Sequence, residues 1–348
     1  MKETYTALRE FGAAFMGPAL TMYARAVRDN SSGRLPVCLA REGWLIHRLL
    51  TRLESEGLVR FEHSPIYLKV SRTLLFRAMV GEPSIWPLAM KSGFSGSVLD
   101  LMMKRFGFQM HEVFACLPPE LLGFNLELPE DAEKVSEWLE PHAERLNEQV
   151  RYTREALSEY FTRSGLYDQN LTPMMLDLGY AGTIQKLCTK LLNRDTDGLY
   201  FVATKAGQTD IDGHTATVRG VFREGVEWKQ GYTMLERSLY FECLMTAPHG
   251  QVVDILQTHD GKLIFSHGRE ASSQRFYQDL EAVLDGAIDA VVEAMSKDIT
   301  YTTEEVEDLF EVFSTRPGAL PQASWHLFTA DDDISGNGMV NPLHIFGF

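Results

Sequence analysis

The chain has 348 residues, 45% of them hydrophobic and 23% charged, the makeup of a globular protein with one large domain or two. Its formal net charge of −15 argues against a nucleic-acid surface, which needs a basic footprint, but leaves room for a small anionic ligand. Four widely spaced cysteines, with no CxxC, read as free thiols in a reducing compartment. The first residues lack the layout of a signal peptide, and no run reaches the apolar length of a membrane span, so a cytoplasmic protein without membrane spans is expected.

In chain order, residues 3–29 carry helical spacing, with Leu8, Phe11, Phe15, Leu20, Tyr23 and Val27 on one face. Gly17-Pro18 is expected to interrupt that helix. After the turn at 30–34, "LPVCLA" (35–40) reads as a buried strand, 44–57 as a helix closed by Gly57, and 64–72 as a second strand. Strand, helix, strand is the unit of a parallel sheet.

Residues 73–165 look like a helical insertion or cap. A helix is expected over 95–108, and a long one from Pro129 with Val135, Leu139, His142, Leu146 and Val150 on one stripe, closed by Gly165. The α/β pattern resumes with a strand at 172–179, a helix at 183–193 and a strand at 198–204. Shorter strands follow at 217–223 and 252–258, the latter opening a hairpin through Asp260-Gly261. The run 238–245 fits helix or strand. Helices are expected over 271–297 and 302–314, then a loose tail. The chain thus reads as an α/β core (1–72 and 166–270), a helical insertion (73–165) and a C-terminal extension (271–348).

Three loops fall at carboxyl ends of expected parallel strands, the edge where open α/β sheets bind ligands. In "DLGYAGT" (177–183), Gly179 and Gly182 let the backbone turn and a ligand approach the amides, and the next helix offers free N–H groups and Thr183 a hydroxyl. That suits a phosphate, and Asp177 beside it suits sugar hydroxyls or a metal. The same residues also fit a plain strand–turn–helix corner. "AREG" (40–43) offers Arg41 for a phosphate and Glu42 for a metal or hydroxyl, or simply a surface ion pair. "KVSRT" offers Lys69, Ser71 and Arg72, or a charged strand end. Neither GxxxxGK[ST] nor GxGxxG is present.

This layout resembles the type I phosphoribosyltransferases, with "LAREG" at the position of their pyrophosphate loop, "KVSR" next, and "LDLGYAGT" at the ribose 5-phosphate loop. Those enzymes carry two adjacent acids before that loop; here Asp177 is followed by Leu178. The ordered set "MGPAL", "CLAREG", "YLKVSR", "DLGYAGTIQ" and "YFECL", over roughly residues 10–270, more closely resembles a bacterial polysaccharide phosphoribosyltransferase family encoded with, or fused to, glycosyltransferases and HAD-type phosphatases.

The resemblance implies a phosphoribosyltransferase-like (Rossmann-like) parallel core that uses 5-phospho-α-D-ribose 1-diphosphate (PRPP) with Mg²⁺. It implies inverting transfer of 5-phospho-ribofuranosyl to a glycan hydroxyl in the synthesis of polysaccharides such as O-antigen or capsule. It also implies a separate HAD-type phosphatase and glycosyltransferases as partners, since no HAD nucleophile motif appears here. PRPP would be held by Arg41, Glu42, Gly43, Lys69, Ser71 and Arg72 on one side. On the other it would be held by Asp177, Gly179, Tyr180, Ala181, Gly182, Thr183 and Gln185. Glu42 and Asp177 would hold the metal. The acceptor hydroxyl needs a general base, for which Glu242 comes first, with Asp177 and Glu42 behind it. His47 and His249 read as structural. The other readings of the chain are a HAD-like phosphohydrolase and a non-catalytic partner in a polysaccharide assembly complex.

Overall fold

A computed structural model describes residues 2–316 and 318–348. At its centre is a six-stranded, mainly parallel sheet in the order β2-β1-β5-β6-β8-β7. β1 (Arg34–Leu39), β2 (Ile66–Leu68), β5 (Thr172–Asp177), β6 (Thr196–Ala203) and β8 (His214–Glu224) run parallel. β7 (Gly207–Ile211) closes the edge antiparallel to β8. Two small hairpins, β3 (Phe94–Ser97) with β4 (Asn125–Leu128) and β9 (Val252–Gln257) with β10 (Leu263–His267), stand apart from it. A third pairs β11 (Ala330–Asp332) with β12 (Gly338–Val340).

Alternation along the strands divides the core in two, because successive side chains point to opposite faces. Cys38, Met174 and Leu176 join one apolar cluster; Val37, Leu39 and Met175 join the other. The first cluster is covered by the helices Lys2–Asn30, Gly43–Ser55 and Tyr277–Ser296. The second is covered by Thr183–Leu192 and the helices of 73–165. The helix after β1 and the helix after β5 therefore lie on opposite faces. That reversal leaves a crevice between the carboxyl ends of β1 and β5, the switch point of a doubly wound sheet.

The N-terminal helix runs unbroken through Pro18, against the expected interruption. Glycines on this helix and on the helix Tyr277–Ser296 explain this. A Cβ on Gly12 would come 1.9 Å from the Val283 carbonyl oxygen, and one on Gly286 would come 2.0 Å from that of Arg9. Backbones this close bury a continuous face, and tertiary packing outweighs one lost hydrogen bond.

Other boundaries also moved. The strand expected over 64–72 ends at Leu68, because Ser71 turns extended and accepts the Leu74 N–H at 3.0 Å, capping a helix that begins at Arg72. The helix expected over 95–108 is β3 followed by Val98–Lys104, since Ser97 and Asp100 form a capping box. The long helix from Pro129 is broken into Ala132–Leu139, Ala143–Gln149 and Arg151–Arg163, with Pro141 inside the first break. Its stripe still buries Val135, Leu139, Leu146 and Val150, whereas His142 is only half-buried. Residues 239–244 are helical. The β7–β8 hairpin was not foreseen, although Asp212-Gly213 supplies its turn with φ of 53° and 85°. The tail is ordered: Leu343 joins the core, and the half-buried Phe346 and Phe348 pack their rings on Tyr240. All four cysteines are free and buried, and burial pushes the Cys188 thiol up to about 12.

Buried arginines tie the 73–165 block down. Arg77 forms a two-pronged pair with Glu112 (2.7 and 3.0 Å) and meets Asp254 of β9 at 3.1 Å. Arg105 is fully buried and donates to the carbonyls of Ala89, Ser92, Gly93 and Ile334, which joins the block to the C-terminal segment. No helix among the described residues is long and apolar enough to cross a membrane.

Candidate active site

The crevice opens into a cleft of about 730 Å³. Arg41 and Glu42 enter it from the end of β1, and Ser71 and Arg72 from the start of the helix after β2. Asp177 and the loop Gly179–Thr183 enter from the end of β5. Glu242 reaches it from the helix Leu239–Leu244. Residues spread over 200 positions of chain thus meet at one sheet edge.

Gly43, Lys69 and Gln185 lie outside the cleft lining. Gly43 begins the helix where a Cβ would come 2.6 Å from the Cys38 carbonyl carbon. The Lys69 ammonium sits over the Phe265 ring, 5.2 Å from its centroid. Gln185 is fully buried: its amide donates to the Thr196 carbonyl (3.1 Å) and the Thr217 carbonyl (3.0 Å) and accepts from the Tyr200 hydroxyl (2.9 Å). Gly198 makes room for it, since a Cβ there would come 2.0 Å from Gln185 Oε1. Gln185 pins the loop's helix to β6 and β8. His47 and His249 also stay outside the cleft lining; His249 accepts from the Tyr67 hydroxyl at 2.9 Å, its other nitrogen meeting the Gly250 carbonyl at 2.8 Å, and burial lowers its pKa to about 4.

The loop after β5 is shaped for close approach. Gly182 has φ of 66°, a region that favours glycine, and as N-cap it offers no side chain to the free N–H groups of the Thr183–Leu192 helix. A Cβ on Gly179 would come 2.7 Å from the Val202 carbonyl oxygen. The peptides Ala40–Arg41 and Gly179–Tyr180 are cis.

Three carboxylates define the middle of the cleft. Asp177 is buried, and Oδ1 accepts the Leu178 N–H at 2.8 Å. Burial, then the neighbouring Glu42 charge, push its pKa well above the usual carboxylate range. Glu42 accepts the Arg41 N–H at 3.1 Å. Glu242 is partly open to the cleft and accepts the Tyr180 hydroxyl at 3.0 Å. Burial and Glu42 raise its pKa to about 7, against the opposing pull of Tyr180, Arg41 and Arg72. Among the described residues neither Arg41 nor Arg72 forms an ion pair, and neither do these three acids. Arginines and carboxyl groups gathered without pairing leave both sets free for a ligand.

Further residues join them without a sequence signal. Lys91 and Lys205 line the loop end. Trp228 lines the cleft beside Tyr180, 51% exposed, its ring edge-on to that of Tyr180 at 5.7 Å. A tryptophan in the glycine-flanked run "GVEWKQG" was the one available hint. Asp331 and Asp332 come from the ordered tail. Asp331 pairs with Arg269 at 3.2 Å, and burial raises its pKa against the pull of Arg269 and Arg41.

For a divalent cation, the described residues hold no cluster of three or more His, Cys, Asp or Glu side chains with metal-site geometry. Mg²⁺ bound through one or two carboxylates and substrate phosphates needs no such cage. Asp177 and Glu42 each keep one oxygen clear of the hydrogen bonds above, which fits that mode. No model of a known family matches the chain, and no curated protein matches it.

Proposed function

We propose that this cleft binds PRPP with Mg²⁺ and transfers its 5-phospho-ribofuranosyl group to a glycan hydroxyl in bacterial polysaccharide synthesis, on a phosphoribosyltransferase-like version of the doubly wound sheet. The carrying observation is that unpaired Arg41 and Arg72, the buried Asp177 with its glycine loop, and the perturbed Glu242 all face one crevice. In this reading the free N–H groups beyond Gly182 take the 5-phosphate. Asp177 orients the ribose hydroxyls. Arg41 and Arg72 receive the diphosphate, and their fixed charge favours its departure. Mg²⁺, held by Asp177 or Glu42, would supply further charge neutralisation to the diphosphate.

As the C1–O bond to diphosphate breaks, its electron pair leaves with pyrophosphate. The acceptor oxygen attacks C1 from the opposite face, giving a β-riboside, and its proton passes to Glu242. Trp228 supports a carbohydrate acceptor: an exposed indole lining the cleft, next to the tyrosine that holds the base, offers a flat apolar face to a sugar ring. A separate phosphatase would remove the 5-phosphate afterwards, and a cytoplasmic setting supplies PRPP.

The test is incubation with PRPP, Mg²⁺ and candidate glycans. The expected result is pyrophosphate release with a glycan heavier by one phosphoribosyl unit. Absence of PRPP binding at millimolar concentration overturns the reading. Phosphate release without an acceptor would point instead to a phosphohydrolase.

A further inference from the structure

Lys91, Lys186 and Lys205 come from three separate parts of the chain: Lys91 and Lys205 line the cleft together with the Gly179–Thr183 loop, and Lys186 bonds to that loop's backbone. Lys91 follows the short helix Trp86–Ala89 of the 73–165 block. Lys186 sits in the first turns of the helix after the loop, its ammonium donating to the Ala181 carbonyl at 3.0 Å. Lys205 follows β6, and both it and Lys91 are exposed along the cleft.

Like charges this close oppose one another. Contact with Lys205 is the first cause that lowers the Lys91 pKa, and Lys186 adds to it. Burial, then Lys205, lower that of Lys186. Among the described residues none of the three meets a carboxylate. Lys190, one turn beyond Lys186, shows the ordinary alternative: it pairs with Asp212 and with Glu82 at 3.6 Å. In a chain with a net charge of −15, three ammonium groups near enough to repel one another, with no acid paired to any of them, form a local positive patch.

We infer that Lys91, Lys186 and Lys205 form a side-chain anion site for a phosphate-type dianion, alongside the backbone N–H groups of the glycine loop. Bound there, the dianion replaces lysine–lysine repulsion with charge-assisted hydrogen bonds. The site does not depend on the transferase reading. The dianion could be a phosphate of the donor or a phosphate carried by the acceptor, and the two sources leave different traces.

The experiment measures binding of inorganic phosphate, PRPP and acceptor to the full chain and to Lys91→Met, Lys205→Met and the double variant. Both residues are exposed, so these variants should fold, which circular dichroism checks. Inorganic phosphate should raise the melting temperature of the wild type more than chloride at equal ionic strength. Each substitution should weaken phosphate binding by about tenfold, the scale of one hydrogen bond to a charged group. Without anion, at low salt, each should raise the melting temperature by relieving repulsion.

A parallel loss of PRPP affinity assigns the site to the donor; retained PRPP affinity with a raised acceptor KM assigns it to the acceptor. Phosphate affinity unchanged in the folded double variant overturns the proposal. A wild type that binds phosphate through these lysines but never PRPP keeps the anion site and removes the transferase.

Discussion

The Tyr180 hydroxyl donates to the Glu242 carboxylate at 3.0 Å, so the loop that follows β5 is joined directly to the helix carrying the proposed base. Through this bond one tyrosine connects the glycine loop to a carboxylate whose pKa lies near 7.

The pH dependence follows. A base must be ionised, so acceptor kcat/KM should rise with pH and level off above about 7. Tyr180→Phe removes a bond that favours the charged form and should move the rising limb to higher pH. Glu242→Gln should abolish the limb and lower kcat by about 100-fold or more. A pH–rate profile of the three proteins checks this, and a limb that stays in Glu242→Gln removes Glu242 from the role.

Stability should fall as pH rises. Asp177 and Glu242 both hold their protons more tightly when folded than the unfolded carboxyl value of about 4. Their contribution is therefore complete below about pH 4 and lost as pH climbs through the folded values, by about 7 for Glu242. Asp177→Asn and Glu242→Gln should each flatten this decline in denaturant titrations between pH 5 and 8. Mg²⁺ should stabilise the wild type more at pH 8 than at pH 5. A wild type equally stable at both pH values contradicts the account.

Gly182→Ala tests the loop. The left-handed backbone costs a residue with a Cβ about 1–2 kcal/mol, and the added methyl would come 2.8 Å from Val218 Cγ2. The variant should lose that much stability and bind PRPP more weakly, whereas Gly207→Ala, also at positive φ but with open space around it, should lose stability alone.

The Arg77–Glu112 pair tests how the helical block is held. Glu112→Ala leaves a buried guanidinium short of its partner and should cost about 3–5 kcal/mol. Replacing both with methionine should cost much less, since apolar packing removes both desolvation penalties. A double-mutant cycle by urea denaturation reads the difference.

Trp228→Ala should raise the acceptor KM while leaving PRPP affinity within about twofold, because its half-exposed ring packs edge-on against the side chain of Tyr180, whose hydroxyl holds the proposed base. Equal losses for both substrates would place the ring in the donor site.

Much of the site was legible because it is local. Glycines at 179 and 182, an acid at a strand end and "AREG" after another strand are patterns of adjacent residues, and short continuous apolar runs locate the strands that carry them. The helix stop at Gly57 was legible for the same reason. Pairing across distance was not. Nothing in "AMKSGF" says that Lys91 will face Lys205, because side-chain proximity depends on how the 73–165 block folds back over the sheet edge. Gln185 follows the site loop by two residues, in the helix, yet turns inward, since Gly198 on the neighbouring strand opens the space it fills. Pro18 stays helical because a partner helix almost three hundred residues away holds its face. Sequence alone determined the parallel α/β core and the three strand-end loops, whose signals lie within a few bonds of one another. Only the tertiary structure decided which charges meet unpaired in the cleft, because burial and mutual distance are properties of the packed chain.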